Sequence, residues 1–153
     1  MKHFLVLITL TITGITNIYA QTQLRIKHYN IENGLAIQGF DPTAYFILNK
    51  AIPGNKNIAA TVDGVTYLFA TQKNKELFIK DSKKFEPQYG GWCAYAMGAV
   101  NERVEIDPET FKIVNGKLYL FYHSWINNTL TKWNDDEKNL KAMADKNWNV
   151  FYK

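Results

Sequence analysis

One cysteine, Cys93, stands in the run Tyr89-Gly90-Gly91-Trp92-Cys93-Ala94-Tyr95-Ala96 of a 153-residue chain. A thiol at this place has four roles open to it: reactive nucleophile, metal ligand, intermolecular bridge, or inert core residue. Met97 lies four residues on, on the same face if the segment is helical, and a thiolate with a thioether suits Cu(I). His123, or His28, would add an imidazole. No spacing such as Cys-x-x-Cys or His-x-x-x-His accompanies them, so any metal centre has to be assembled by the fold, with copper ahead of zinc. With no second cysteine, redox chemistry reduces to a mixed disulfide or a sulfenic acid cleared by an external reductant. A cysteine hydrolase would need His123 as base and Asp41 to orient it, brought together by tertiary structure. A non-catalytic reading has Tyr45, Tyr89, Trp92 and Tyr95 around a small-molecule pocket with Asp41 as its polar group and Cys93 as packing. The Gly90-Gly91 pair lets the backbone turn sharply or approach a ligand closely.

A lone thiol needs a reason most in an oxidising compartment, and the N-terminus reads as an export signal. Lys2 gives a positive start, Phe4 to Leu10 is apolar, and Ile18-Tyr19-Ala20 ends in a small residue before Gln21. Thr11, Thr13, Gly14 and Thr16 interrupt the apolar stretch short of the ~20 residues a spanning helix needs. The division is therefore residues 1–20 as signal peptide, 21–35 as a polar lead-in and 36–153 as one domain, periplasmic or secreted. Cleavage leaves 153 − 20 = 133 residues, enough for one modest core. The net charge of +4, about +3 without Lys2, is spread among acids and forms no basic block, which argues against nucleic acid as a partner. A metal ion, a small molecule or another envelope protein remains. Lys73, Lys75, Lys80, Lys83 and Lys84 alternate with Glu76, Asp81 and Glu86 as a solvated helix face would.

The elements that must position these residues are read from turn chemistry and periodicity. Asp41-Pro42 is a helix start, because the carboxylate accepts orphan N–H groups and proline leaves none. Ala59 to Val62, Asp63-Gly64, then Val65 to Ala70 is a β-hairpin. Thr71 caps a short helix with Leu77 and Phe78 inward. Phe111 to Val114, Asn115-Gly116, then Lys117 to Tyr122 is a second hairpin, and the two imply a small antiparallel sheet. From Ser124 onward the spacing is helical, with Trp125, Leu130 and Trp133 in one segment, Leu140, Met143, Ala144 and Trp148 in the next, and Asn134-Asp135 at the break. The fold class is α+β, antiparallel hairpins covered by short helices. No internal repeat or low-complexity tract appears.

The runs Gln38-Gly39-Phe40-Asp41-Pro42-Thr43-Ala44-Tyr45-Phe46, Tyr67-Leu68-Phe69-Ala70, Phe78 to Phe85 and Pro87 to Ala96, with Asp107-Pro108-Glu109, Val114 to Leu120 and Ala144-Asp145-Lys146-Asn147-Trp148, resemble the YHS-domain family. The likeness is to its exported single-domain branch, whose name implies that some members carry selenocysteine. The resemblance implies a small treble-clef-like core and metal binding in the wider family, through cysteines at the positions of Ala44, Ala70 and Asn74. None of these supplies a thiolate, so that cluster is not carried over. Tyr122-His123-Ser124 spells the family's letters outside the region where the motif belongs. The site the resemblance and the residues together suggest comprises Asp41, Tyr45, Tyr89, Gly90, Gly91 and Trp92, with Cys93, Met97 and His123 as metal ligands.

Overall fold

A computed structural model describes residue 20 and residues 22–152. The leader reading falls on residues 1–20 and so lies almost wholly outside the described residues. The lead-in, read from the sequence as polar, is a helix over 22–28 (α1), followed by a short hairpin, β1 (Ile31–Glu32) and β2 (Leu35–Ala36). Then come α2 (Pro42–Leu48), β3 (Asn55–Val62), β4 (Val65–Phe69), α3 (Gln72–Lys80), α4 (Ser82–Phe85), α5 (Ala94–Ala99), β5 (Asp107–Val114) and β6 (Lys117–Phe121). A small hairpin, β7 (His123–Ser124) and β8 (Asn127–Asn128), precedes α6 (Thr129–Asp135) and α7 (Glu137–Asn149). The class is α+β as expected, with small antiparallel sheets and short helices. No described helix is long and apolar enough to cross a membrane.

Both long hairpins form as their turns dictate. Asp63 and Asn115 take φ of 47° and 51° and the glycines after them 81° and 70°, the left-handed pair that a two-residue hairpin turn needs. They do not share one sheet. β3 and β4 lie in a four-stranded sheet, β1-β2-β4-β3, in which β2 runs parallel to β4, while β5 and β6 form a separate two-stranded sheet that Pro87 joins by a single parallel bridge to Leu118. Two clusters fill the interior. One joins Tyr45, Tyr67, Phe69, Phe78, Cys93, Leu118 and Leu120; the other joins Tyr89, Met97, Tyr119, Phe121, Trp133 and Ala144. Alternate residues of β6 serve the two, because successive side chains of a strand point to opposite faces.

The chain also repeats itself, against the expectation of no internal repeat. Leu35 to Ala70 and Pro87 to Tyr122 follow the same course at a constant separation, 107 − 55 = 52 residues, as the paired hairpin registers show: Asn55↔Phe69, a bulge, then Ala59↔Leu68 to Val62↔Val65, against Asp107↔Phe121, a bulge, then Phe111↔Leu120 to Val114↔Lys117. The parallel pair Leu35↔Thr66 answers to Pro87↔Leu118. Ile37, Gln38 and Gly39 have φ of 51°, 51° and 83°, and Tyr89, Gly90 and Gly91 have 55°, 60° and 87°. Asp41 N–H donates to Ile52 C=O at 2.9 Å and Cys93 N–H to Val104 C=O at 3.0 Å. Asn49 and Asn101 end the equivalent helices with φ of 51° and 56°. Of 36 paired positions eight are identical, among them Gly39/Gly91, Gly64/Gly116 and the run Tyr67-Leu68-Phe69/Tyr119-Leu120-Phe121. What the copies share is backbone shape, which few side chains enforce, so the repeat is faint in the letters and plain in the geometry.

Candidate functional site

Asp41 begins α2 as its N-cap and is fully buried. Oδ1 accepts the N–H groups of Thr43 at 2.8 Å and Ala44 at 3.3 Å, and Oδ2 accepts Ala70 N–H at 2.8 Å and Asn74 Nδ2 at 2.6 Å. The three positions that the resemblance gives to metal-binding cysteines, Ala44, Ala70 and Asn74, therefore do converge, and what they surround is a carboxylate. Four donors leave this group committed to holding α2, the end of β4 and α3 together. Tyr45, one turn on, is also fully buried; its hydroxyl donates to Pro108 C=O at 2.8 Å and its ring meets Phe111 edge-on. Burial holds the Tyr45 phenol far above its ordinary value, with Asp107 adding to it. Asp41 and Tyr45 thus tie elements together in the interior, apart from the cleft at Tyr89.

Cys93 occupies in the second copy the place Asp41 holds in the first. It is the N-cap of α5 and fully buried. Tyr122 N–H donates to its Sγ at 3.3 Å, the equivalent of the bond from Ala70 to Asp41. Thr129 Oγ1 lies 3.4 Å from Sγ and gives its own proton to Tyr122 C=O at 2.7 Å. The S–H proton is then the one that fills the gap between sulfur and Thr129, so the geometry is that of a thiol that both accepts and donates.

The other suggested ligands stand elsewhere. Met97 is fully buried in the second cluster, while Cys93 belongs to the first. His123 is half exposed and its Nδ1 pairs with Asp107 Oδ2 at 3.2 Å. His28 is buried against the Phe151 ring with Arg103 3.4 Å from Nδ1; burial first, then Arg103 and Lys27, hold its imidazole below the usual range. Among the described residues no three His, Cys, Asp or Glu side chains converge as a metal site would require. The hydrolase pairing of His123 with Asp41 is not assembled either, since each is bound to a different partner.

Accessible polar space lies instead over the second left-handed turn. A cleft of about 530 Å³ is lined by Arg25, Glu86, Tyr89, Gly90, Lys117, Asp145 and Trp148, with Tyr29, Lys83 and Gln88 at its sides. Gly90 contributes only backbone to it. A Cβ on Gly90 would stand 2.7 Å from the Trp148 ring and 2.8 Å from that of Tyr29, so only glycine admits both rings beside this turn. The lead-in straps the turn down: Asn30 N–H donates to Gly90 C=O at 2.9 Å, Asn30 Nδ2 to Gly91 C=O at 3.2 Å, and Trp92 Nε1 to His28 C=O at 2.7 Å.

The carboxylates of the cleft are already matched. Arg25 grips Glu86 with both terminal nitrogens, stacks over the Tyr29 ring at 4.4 Å and donates to its hydroxyl; Tyr67 OH donates to Glu86 at 3.0 Å. Burial opposes the Arg25 charge, but the bonds and attraction from Glu86 outweigh it and its proton is held more tightly than usual. Asp145 accepts Tyr89 OH at 2.9 Å and Lys141 at 2.6 Å. Burial, then Asp145, keeps the Tyr89 phenol neutral well beyond its ordinary range. Lys83 and Lys117 at the rim are exposed and have no partner among the described residues. The uncompensated charge is positive.

Of the sequence-suggested site, Tyr89 and Gly90 line this cleft, Gly91 and Trp92 bond the lead-in that straps the turn, and Asp41, Tyr45, Cys93 and Met97 form the paired starts of α2 and α5. The reading of these residues as one centre is therefore corrected to two places. Arg25, Glu86, Asp145 and Trp148 were missed. Arg25 and Glu86 are 61 residues apart and look like ordinary surface charges, and nothing local in the sequence marks them as partners. Comparisons with protein-family models, with curated proteins and with solved structures returned no match for this chain.

Proposed function

We propose that this protein is an exported, YHS-like, non-catalytic binding module whose ligand is a small anionic molecule held in the cleft over the Tyr89-Gly90 turn, with Cys93 as a structural thiol. The carrying observation is the charge pattern: Glu86 and Asp145 are each matched within the protein, while Lys83 and Lys117 face the same cleft unmatched. Its volume, about 530 Å³, falls in the range of small-molecule sites, roughly 300–1,000 Å³, and the Trp148 and Tyr29 rings give an apolar wall for the body of the ligand. The test is a calorimetric screen of small carboxylates and phosphate esters against the protein and a Lys83→Gln/Lys117→Gln variant. Binding lost in the variant supports the reading; equal binding, or none by the parent protein, sinks it.

Copper, ahead of zinc, at Cys93 is the second reading. It is favoured by the one-turn spacing of two soft donors, Cys93 and Met97, and requires the sulfur to leave Tyr122 N–H and Thr129. An anaerobic Cu(I) competition titration of the protein beside a folded Cys93→Ser variant separates the two: tight one-to-one binding lost in the variant makes Cys93 a ligand, and equal weak binding removes the metal.

A further inference from the structure

The two copies differ where each leaves its second strand. In the first, β4 passes through Ala70-Thr71 straight into α3. In the second, the chain leaves at Tyr122, forms the β7–β8 hairpin and comes back to its point of departure, where Thr129 N–H and Oγ1–H both donate to Tyr122 C=O at 3.1 and 2.7 Å. The six residues 123–128 are thus an excursion closed at its base. His123 at its base pairs with Asp107 and Asn128 caps α6, but none of the six contributes a side chain to either interior cluster, so core packing supplies no reason for the tip. At the tip, beyond the Ser124↔Asn127 pair, stand Trp125 and Ile126, 99 % and 85 % exposed.

We propose that this hairpin is a membrane-docking finger that seats Trp125 and Ile126 at the boundary between lipid headgroups and acyl chains. Two side chains on a tip offer on the order of 400 Å² at most, well short of the ~800 Å² per partner of a stable protein interface. A bilayer needs no complementary pocket and accepts a two-residue wedge. Tryptophan suits that boundary because its ring is apolar and its N–H reaches water or headgroups. The flanking His123, Ser124, Asn127 and Asn128 are polar, which limits entry to the tip. A net charge of +4, about +3 without Lys2, complements an anionic lipid surface.

The test is co-sedimentation of the purified protein with phosphatidylcholine vesicles and with mixed phosphatidylcholine–phosphatidylglycerol vesicles, beside a Trp125→Ser/Ile126→Ser variant with the same N-terminus. The expected result is binding to vesicles, stronger on the anionic ones, that falls by about tenfold or more in the variant. Brominated lipid should quench fluorescence in the parent protein and not in the variant, while both unfold at the same temperature because the tip lies outside the core. Vesicle binding unchanged by the substitution, or no vesicle binding by the parent protein, as a finger shaped for a protein pocket would give, overturns the proposal.

Discussion

Asp41 and Cys93 do the same work with different atoms, and the number of donors each receives sets what its loss costs. Asp41→Ala removes the acceptor of Thr43 N–H, Ala70 N–H and Asn74 Nδ2, leaving Ala44 N–H only its bond to the Asp41 C=O, and should destabilise by about 3 kcal/mol or more, read from urea midpoints. Cys93→Ala orphans Tyr122 N–H and should cost about 1–3 kcal/mol, with Cys93→Ser, which restores an acceptor, costing less. The native thiol, fully buried, should resist iodoacetamide and react at the rate of unfolding. Rapid alkylation of the folded protein would contradict the packing role and reopen redox chemistry. Arg25→Met should cost about 3–5 kcal/mol by leaving the Glu86 carboxylate buried without its cation, and a second change, Glu86→Gln, should recover part of that loss.

Which elements could be read in advance follows from how local their causes are. The Asp41 cap, the Thr71 cap and both Gly turns act within four residues, and each is where the sequence placed it. Trp125 was assigned to a helix because its distance from Trp133 fits helical spacing; the chain instead turns over at Trp125-Ile126, and the helix starts at Asn128 with its side chain capping Leu130. Periodicity alone has no term for a hairpin that returns to its own base. The close seating of α5 on α7 was equally invisible, since it rests on one absent side chain. A Cβ on Gly98 would stand 2.4 Å from the Leu140 carbonyl oxygen, so Gly98→Ala must push the helices apart. It should lower stability by about 2 kcal/mol or more in chemical denaturation, although alanine is the better helix former.

For the molecule as a whole, the titrating groups fix a plateau with two edges. The Glu137 carboxyl, bonded to Lys112, and the His28 imidazole are both held low, so the unfolded chain takes up protons first as pH falls; their stability is full above about 6.5 and declines below it, with Glu137 adding its loss below 4.5. The phenols of Tyr45, Tyr67 and Tyr89 are held high, first by burial, so their stability is full below 10.0 and declines as pH rises past it. Thermal midpoints should be level between these limits and fall on either side. Phenolate absorbance should show these three tyrosines titrating only as the fold is lost.

The two left-handed turns carry a consequence of descent. Three successive positive φ angles, one on a β-branched isoleucine, form an uncommon shape to reach twice independently, so the copies are best understood as twins of one ancestral half. Their fates have parted at a single paired position. Gly90 keeps its turn bare and leaves room for two rings beside a cleft of about 530 Å³, whereas its twin Gln38 sends its amide across to Ile106 C=O at 3.0 Å and stands beside a smaller hollow of about 270 Å³. One twin has become the mortar between the halves, and the other has kept the doorway.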